Sequence, residues 1–428
     1  MSRTFTARWV FPVSGPPLPN GTVTVSDDRI AAIEPRGARS PDEDFGNCAL
    51  IPGLVNPHTH LDLSGARGLI PPTDPDHFTD WLRGVIAYRR SRTAEQTQAD
   101  IRAGLAECLR FGTTLVGDIA SEGASWDVLA AAPTRAVVFY ELIGLAEDRL
   151  SDAWQRSGFM SGLSWDEPPL QFPPPRLQTP LCRWGISPHA PYSVHGQTAK
   201  IMFTIGNQSA THLGESKGEA DLLESRSGSF VAFLTDLGVY RSESFATGWI
   251  DFVTPHPWNA RPQPRLIVHA NYLPADFPFR PEHSVVYCPR THAAFGHPPH
   301  PFRDFLARGV RVCLGTDGLT SNPDLDVLAE ARFVRSRYPD FPGDQLLRTI
   351  TLSGAEALGW ADECGSLEVG KSADFVAVPL PNVDASDPHE LLFAEHTGAW
   401  SGRETGDAGD RSRPPRRTMF RGAFRNTP

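Results

Sequence analysis

Three features that would point to particular classes of protein are missing from this sequence of 428 residues. No stretch approaches the roughly 18 apolar residues of a membrane-spanning helix, and Met1 to Val10 lacks the apolar core of a secretion signal. Basic residues do not prevail either, since the net charge is -10 and the pI is near 5.8. This balance argues against binding to nucleic acid or to an anionic membrane. We therefore expect a protein that acts on a small molecule, with neither nucleic acid nor a membrane as its partner.

The cysteines lack a pattern as well. None of the six belongs to a Cys-x-x-Cys pair, and most stand singly in apolar segments. Scattered cysteines of this kind are typical of buried thiols in a reducing compartment. We expect the protein to be cytoplasmic.

A histidine pair follows a short apolar run near the start of the chain. The run from Ala49 to Val55 predicts a buried strand, and His58 and His60 come directly after it. Because side chains alternate along an extended chain, two histidines separated by one residue point to the same face. A metal ion is a common reason for placing two imidazoles at the end of such a strand. Two surface histidines on a loop are the alternative at this point.

Strand and helix patterns alternate through the middle of the chain. Together with the first strand, seven further apolar runs make eight: Thr113 to Ile119, Ala136 to Ile143, Arg183 to Ser187, Ala210 to Leu213, Arg265 to Ala270, Ser284 to Cys288 and Val310 to Gly315. Helical patterns include Gly218 to Thr235, Pro301 to Arg308 and Asp324 to Arg337, and Thr93 with Gln96 forms a capping box that opens another helix. The alternation predicts βαβ units, and hence an α/β fold with a parallel sheet.

The two ends of the chain carry a different pattern. Near the start, Gly21 to Val25 and Ile30 to Ile33 flank a polar turn and predict a hairpin. Near the far end, Gly365 to Val378 again predicts a turn followed by a strand. A hairpin cannot belong to a parallel barrel, so we expect the two ends to build one small sheet together.

Metal-ligand side chains recur where the predicted strands end. His212 closes the fifth strand, His269 closes the sixth and Asp317 closes the eighth. Barrel enzymes build their active sites at the carboxyl ends of the strands. Several imidazoles with one carboxylate suit zinc or iron(II) and leave a coordination position open for water.

Taken together, these motifs resemble the amidohydrolase superfamily, in its cytosine-deaminase-like branch, which includes the atrazine chlorohydrolase relatives. The resemblance is carried by Pro-Gly-Leu-Val-Asn-Pro-His-Thr-His, His-Leu-Gly-Glu, Gly-Thr-Asp with Ser321 and Asn322 after it, and the closing Gly-Ser-Leu-Glu-Val-Gly-Lys-Ser-Ala-Asp. It implies a distorted (β/α)8 TIM barrel that carries a small β-sandwich formed by both chain ends. By this reading the sandwich takes residues 1–51 and 363–428, and the barrel takes residues 52–362.

The resemblance also implies roles for individual residues. The implied metal ligands are His58, His60, His212 and Asp317, and Asp317 is catalytic as well. Glu215 is implied as the proton shuttle, and His269 as a catalytic group near the attacking water.

The small number of lysines bears on the number of metals. Superfamily members with two metals bridge them through a carboxylated lysine at the end of the fourth strand. The lysines here are Lys200, Lys217 and Lys371, and none of them stands at that position. We therefore expect one divalent metal ion per chain, zinc in the first place and iron(II) as the alternative.

Three further residues are candidates for substrate binding. His189, in Ser-Pro-His-Ala-Pro-Tyr after the fourth strand, resembles a substrate-contacting histidine, and a structural loop histidine is the alternative. After the seventh strand, relatives commonly show Cys-Pro-x-Ser-Asn, whereas this chain has Cys-Pro-Arg-Thr-His. Arg290 and His292 of that motif are the other two candidates, while His297 and His300 are expected to be loop residues.

The function implied by the resemblance is hydrolytic deamination. Asp317 takes a proton from the attacking water, Glu215 protonates the ring nitrogen beside the attacked carbon, and ammonia leaves. The expected substrate is an aminated heterocycle, and in particular a purine nucleoside derivative, as for the aminodeoxyfutalosine deaminases of menaquinone synthesis. Hydrolysis of a cyclic amide or chloro-triazine is one alternative, and a catalytically inactive barrel scaffold is another. A homodimer is compatible with this reading.

Long segments after the first, third and fifth predicted strands are expected to cover the site. Loops of such length tend to be functional lids, and these carry the aromatic residues Phe78, Trp81, Tyr88, Trp154, Phe159, Trp165, Tyr240 and Trp249. An aromatic lid would suit a nucleoside better than a bare base. The alternative is that these aromatics only pack the loops against the barrel.

Overall fold

The computed structural model describes residues 2–145, 179–205, 207–255, 262–394 and 416–425. Its strands, in chain order, are β1 (Ser2–Thr6), β2 (Trp9–Val10), β3 (Leu18–Pro19), β4 (Thr22–Ser26), β5 (Arg29–Glu34), β6 (Glu43–Asp44), β7 (Cys48–Pro52), β8 (Leu54–Thr59), β9 (Thr113–Ser121), β10 (Arg135–Leu142), β11 (Cys182–Pro188), β12 (Ser209–Leu213), β13 (Arg265–His269), β14 (His283–Tyr287), β15 (Arg311–Leu314), β16 (Phe375–Pro379), β17 (Arg417–Phe420) and β18 (Ala423–Phe424).

Strands β8 to β15 form one parallel sheet in sequential order. These strands are almost wholly buried, and β10 and β13 are buried along their full length, as expected for a parallel sheet covered on both faces. The last strand returns beside the first. There the Asn56 amide donates to Thr316 Oγ1 at 2.8 Å and accepts from the Thr316 backbone amide at 3.2 Å. The predicted (β/α)8 barrel is confirmed, and so are the predicted strands from the second to the eighth, to within two residues at each end.

The predicted first strand is wrong in one respect. The run Ala49 to Val55 is not a single strand, because the chain passes from β7 to β8 at Gly53 and the two strands belong to different sheets. A Cβ atom at Gly53 would lie 2.1 Å from Thr114 Oγ1, so only glycine allows this close approach to β9. An apolar run shows burial but not a change of sheet, which explains the error.

The two chain ends build one sheet together, as predicted, but the predicted hairpin is not part of it. Strand β7 pairs antiparallel with β16, from Pro52 opposite Phe375 to Cys48 opposite Pro379, in a six-stranded sheet of order β18-β17-β16-β7-β2-β3. A second sheet of order β5-β4-β1-β6 contains the predicted hairpin, β4 with β5. Phe5, Leu50 and Phe375 belong to the apolar core of this region.

The helices lie on the outside of the barrel and over its carboxyl end. In chain order they are α1 (Phe78–Ser91), α2 (Ala94–Arg110), α3 (Trp126–Ala130), α4 (Gly196–Ile205), α5 (Lys217–Ser225), α6 (Ser229–Asp236), α7 (Trp249–Val253), α8 (Pro289–Ala294), α9 (Phe302–Ala307), α10 (Val327–Arg337), α11 (Gly343–Thr349), α12 (Leu352–Ala357) and α13 (Pro388–Phe393). Short 3₁₀ turns cover Leu61–Ala66, Pro75–His77 and Ser242–Ser244. Within the described ranges, no helix has both the length and the apolar character needed to cross a membrane.

Two helix predictions have different outcomes. The capping box of Thr93 and Gln96 is present at the start of α2, with both of its hydrogen bonds formed. The single helix predicted over Gly218 to Thr235 is wrong. It is broken into α5 and α6 because Arg226 and Gly228 adopt positive φ angles of 54° and 88°, which a right-handed helix cannot accommodate.

Candidate active site

Two histidines and an aspartate meet where β8 and β15 end. His58 is the penultimate residue of β8 and His60 follows that strand. Asp317 comes after β15 in a left-handed backbone conformation, with φ of 60°, and its amide donates to the His58 carbonyl at 3.1 Å. Its Oδ1 atom lies 3.3 Å from His58 Nε2 and 3.5 Å from His60 Nε2. The barrel therefore brings these three predicted ligands together.

The fourth predicted ligand, His212, is oriented by the neighbouring strand. Its Nδ1 atom lies 3.0 Å from the His189 carbonyl oxygen, which can only accept, so Nδ1 carries the proton. The Nε2 lone pair is then free, and this atom lies 3.2 Å from His60 Nε2. A backbone carbonyl that fixes the tautomer of a histidine in this way is a frequent companion of metal ligation.

The chemistry of this cluster fits a divalent metal ion. One ligand atom from each of His58, His60 and Asp317 lies within 4.8 Å of the others, and the same holds for His58, His212 and His269. Separations of 3.2 to 3.5 Å between ligand atoms match the roughly 3.4 Å expected between two ligands of a tetrahedral ion with bonds of about 2.1 Å. Both ring nitrogens of His58 and Nδ1 of His60 are buried without a hydrogen-bond partner among the described residues. Such atoms are costly unless a ligand satisfies them.

The ionisation of the histidines also suits metal binding. Burial lowers the pKa of His60, His212 and His269 well below the ordinary value. Neutral imidazoles are the form that binds a metal.

Glu215 and His269 stand beside the cluster at the ends of β12 and β13. His269 Nε2 lies 3.3 Å from Glu215 Oε1. Burial, with the charges of Asp317 and Glu219, raises the pKa of Glu215 well above its ordinary value, which favours the protonated form of this carboxyl group. The arrangement brings a candidate proton donor next to the candidate metal ligands.

The comparison with protein families decides the classification. A sequence model of a protein family, described as the amidohydrolase family, matches residues 178–412, which is more than half of the chain. This chain belongs to the amidohydrolase family. It is 28% identical to a 5-methylthioadenosine/S-adenosylhomocysteine deaminase of Moorella thermoacetica over 89% of this chain and 86% of that protein. It is 26% identical to an aminodeoxyfutalosine deaminase of Nitratiruptor sp. over 86% of this chain and 90% of that protein.

Solved structures agree with this amidohydrolase in fold. The aminofutalosine deaminase of Helicobacter pylori in complex with methylthio-coformycin superposes with a TM-score of 0.78 at 20% identity, covering 99% of this chain and 100% of that chain. An atrazine chlorohydrolase of Arthrobacter aurescens complexed with zinc gives a TM-score of 0.69 at 20% identity, over 98% of this chain and 94% of that chain.

Sequence reasoning missed the support of Glu215 in this amidohydrolase. Glu219, on α5, accepts hydrogen bonds at Oε1 from the Gly214 backbone amide at 2.7 Å and from Trp249 Nε1 at 2.6 Å. Gly214 has a φ of 62° and directly precedes Glu215. Glu219 therefore fixes the turn that presents Glu215. The spacing Glu-x-x-x-Glu was visible in the sequence, but the contact with Trp249, 30 residues further on, was not.

His300 was expected to be a loop residue, and the structure gives it a more specific place. It is buried, and its Nε2 donates to the His269 carbonyl at 2.6 Å. His269 and Ala270 both have positive φ angles, of 68° and 57°, a conformation that costs free energy for residues other than glycine. His300 stabilises the turn that carries His269.

A buried charged network beside His189 was missed as well. Arg89, on α1, donates from Nε to Asp62 at 2.9 Å and from Nη1 to Glu141 at 2.9 Å. Glu141 Oε1 lies 3.7 Å from His189 Nε2, and the His189 ring centroid is 4.7 Å from that of His212. The network thus reaches the ligand cluster through His189.

The two candidates after the seventh strand differ in their surroundings. His292 Nε2 donates to the Pro298 carbonyl at 2.9 Å. Arg290 donates to Glu330 and to Asp324, at 2.7 Å in each case, so its guanidinium group is already bound within the protein. A substrate contact from Arg290 or His292 stays a prediction.

The predicted lid aromatics mostly pack together. Phe78 and Trp81 belong to one apolar cluster with Phe295, at ring-centroid distances of 5.4 Å from Phe78 and 5.1 Å from Trp81. Trp249 donates to Glu219. Three more of these aromatics, Trp154, Phe159 and Trp165, lie outside the described residues. The described aromatic residues pack in this apolar cluster, and a lid over the site stays a prediction.

Proposed function

We propose that this amidohydrolase is a metal-dependent deaminase that releases ammonia from a purine nucleoside derivative, such as aminodeoxyfutalosine. The observation that carries the proposal is the position of Glu215, a buried carboxyl group with a raised pKa that lies outside the proposed ligand set and 3.3 Å from His269. A buried acid next to a metal cluster can deliver a proton to a ring nitrogen, which deamination of an aminated ring requires.

We propose that His58, His60, His212 and Asp317 hold one divalent ion, with zinc as the first candidate and iron(II) as the second. Their donor set of imidazoles and one carboxylate is the chemistry that both metals accept. When bound there, the ion supplies a water whose lowered pKa makes it nucleophilic near neutral pH.

The remaining steps fall to side chains of this chain. Asp317 accepts a proton from the attacking water at its carboxylate. Glu215 donates its proton to the ring nitrogen beside the carbon that carries the amino group. As the carbon–oxygen bond forms, that carbon becomes tetrahedral. Asp317 then passes the proton it took from the water to the amino nitrogen, the carbon–nitrogen bond breaks and ammonia leaves. The new hydroxyl group returns its proton to Glu215 and becomes the carbonyl group. We assign the orientation of the water to His269, which accepts from His300 at its carbonyl and lies 3.3 Å from Glu215. We assign the contact with the substrate to His189.

The purine assignment is supported by the relatives. The two relatives described above are named for adenosine derivatives, 5-methylthioadenosine or S-adenosylhomocysteine in one case and aminodeoxyfutalosine in the other. At 28% and 26% identity over most of the chain, they support the substrate class and leave the individual compound to experiment.

Hydrolysis of a chloro-triazine is the second candidate, because an atrazine chlorohydrolase has the same fold over 98% of this chain. The ligand cluster would serve that reaction equally well. An inactive scaffold is disfavoured by the convergence of all four ligand residues with Glu215.

An ammonia-release screen tests the proposal. The panel contains adenine, adenosine, 5-methylthioadenosine, S-adenosylhomocysteine, aminodeoxyfutalosine, guanine, cytosine and chloro-triazines, with chloride release measured in parallel. We expect a nucleoside derivative of adenine to have a much higher kcat/KM than adenine itself. Chloride release from a triazine without ammonia release from any adenosine derivative would replace the proposal by its alternative.

A further inference from the structure

A buried carboxyl group lies behind the histidine pair, on the strand next to β8. It belongs to Asp118 of β9, a residue that is 1% exposed. Val116 and Ala120, two residues away on either side, point to the same face of the strand and belong to an apolar cluster with Leu61. Burial raises the pKa of Asp118 to about 7, because the charged form is disfavoured there. For stability alone, an apolar residue would suit this position better.

The Asp118 carboxylate holds the chain on both sides of His60. Its Oδ1 atom accepts from Thr59 Oγ1 at 2.9 Å and from the Leu61 backbone amide at 2.9 Å. Thr59 precedes the proposed ligand and Leu61 follows it. Asp118 belongs to neither of the two groups of converging ligand atoms found among the described residues. It therefore contacts the segment that carries a ligand and not the metal position itself.

Leu61 also begins a 3₁₀ turn, Leu61–Ala66. The first amides of a helical turn have no acceptor within the turn, and the residue before it commonly supplies one through its side chain. Here that residue is His60, whose side chain makes no such bond and lies against the ligand cluster, with Nε2 3.2 Å from His212 Nε2. A side chain that binds a metal cannot also cap the turn. Asp118 accepts the Leu61 amide instead.

Strand β8 is distorted just before this contact. Between their paired positions, β8 advances by three residues while β9 advances by two, and the irregularity ends at Thr59 opposite Asp118. The extra residue forms a β-bulge beside Gly117, where a Cβ atom would lie 2.4 Å from the Pro57 carbonyl oxygen. A bulge changes the direction in which the next side chains point, and bulges are frequent near active sites. His58 lies in this bulge, and Asp118 fixes the chain directly after it.

We propose that Asp118 is a positioning residue for the metal site: by holding Thr59 and Leu61, it aims His60 at the position shared with the other ligands. This inference rests on the proposed function, because it takes His60 to be a metal ligand. Without the carboxylate, the backbone on either side of His60 gains freedom that metal binding has to remove. The loss should therefore appear in the affinity for the metal. Removal of such a supporting partner typically weakens metal binding by about 10- to 100-fold.

The zinc dissociation constant of the metal-free protein, measured by competition with a coloured chelator, tests the inference. Asp118→Ala removes the acceptor and should weaken zinc binding by about 10- to 100-fold. Asp118→Asn keeps an accepting oxygen at the same place and should bind zinc nearly as tightly as the unsubstituted protein. Thr59→Val removes one of the two donors and should lie between them. It gives the same comparison if Asp118→Ala does not fold.

Asp374→Ala is the matched control. Asp374 is 3% exposed and directly precedes β16. Its Oδ1 atom accepts from the Arg421 backbone amide at 2.8 Å and from Ser372 Oγ at 2.9 Å, so it makes the same two kinds of contact as Asp118 in a different sheet. This variant should lower the Tm of the metal-free protein and leave the zinc dissociation constant unchanged.

The outcomes separate this inference from the proposed function. Unchanged zinc binding in both Asp118→Ala and Thr59→Val, or an equal weakening in Asp374→Ala, would overturn the inference and leave deamination intact. Zinc binding without ammonia release from any adenosine derivative would reject the proposed function alone. An unsubstituted protein that binds no zinc would reject both.

Discussion

Two buried polar clusters of this molecule differ in whether their polar atoms have hydrogen-bond partners. At the carboxyl end of the barrel, His58 has no hydrogen-bond partner for either ring nitrogen among the described residues. Where β17 meets the barrel, Arg416 donates two bonds of 2.7 Å to Asp326 and a third to the Phe111 carbonyl. Both clusters are buried, and a buried polar atom without a partner costs free energy. The first cluster is therefore arranged for a ligand, and the second stabilises the fold by itself.

The largest effect expected from this difference is the loss of metal and turnover together. Asp317→Asn and His58→Ala each remove a donor from the first cluster, so both variants should lose the bound ion and the ammonia-release activity. Elemental analysis and a turnover assay on the same preparation measure the two losses. His283→Gln is a matched control, because His283 is a buried histidine at the opposite end of β14 and should keep both properties. A stoichiometric metal with full activity in Asp317→Asn would remove Asp317 from the site.

Next in size is the effect of Glu215→Gln. Glu215 is not among the proposed ligands, so this variant should keep its metal and its thermal stability. Its kcat should fall by roughly 10²- to 10⁴-fold, as is typical when a proton-transfer group is removed. Loss of the metal from Glu215→Gln would mean that this carboxylate belongs to the ligand set and is not a proton donor outside it.

The second cluster can be broken without touching the first. Arg416→Met removes two hydrogen bonds of 2.7 Å from the buried Asp326 carboxylate, which should lower the free energy of unfolding by about 3 to 5 kcal/mol. The double variant Arg416→Met with Asp326→Asn should recover part of that loss, because it also removes the buried negative charge. Denaturant unfolding measures both values, and the metal content and kcat of the folded protein should stay unchanged. A fall in metal content in step with stability would show that the two clusters are not independent.

The smallest effect concerns Glu219, which belongs to neither cluster but adjoins the first. Burial raises its pKa from 4.5 to about 7. The stability that protonated Glu219 contributes is therefore fully present below the pKa of this residue in the unfolded chain, and it is lost as the pH rises through about 7. Glu219→Gln resembles the protonated form and should make the fall of Tm between pH 5 and pH 8 shallower, by roughly 2 °C. Tm measured across this range in both proteins tests the sign. A steeper fall in the variant would contradict it.

Much of the barrel could be predicted from the sequence, because its signals are local. Each predicted strand from the second onward was an apolar run of four to eight residues in a position that the structure confirms. The convergence of His58, His60, His212 and Asp317 followed from the same pattern, since parallel strands bring their carboxyl ends to one edge.

The support of the site could not be predicted in this way. Glu219 acts through Trp249, and the partners of Arg89 come from both β10 and the turn after β8. These contacts join residues far apart in the chain, and nothing in the local sequence specifies them. The division of the first strand at Gly53 has a similar cause, because it depends on the approach of Thr114 from β9.

Titration of the metal-free protein with zinc tests the central claim most directly. The protein is first stripped with a chelator, and ammonia release from the best adenosine derivative of the screen is measured as zinc is added back. Activity should rise in proportion to bound zinc and reach its plateau at one ion per chain. Full activity in the stripped protein, or a plateau at two ions per chain, would contradict a single metal held by His58, His60, His212 and Asp317.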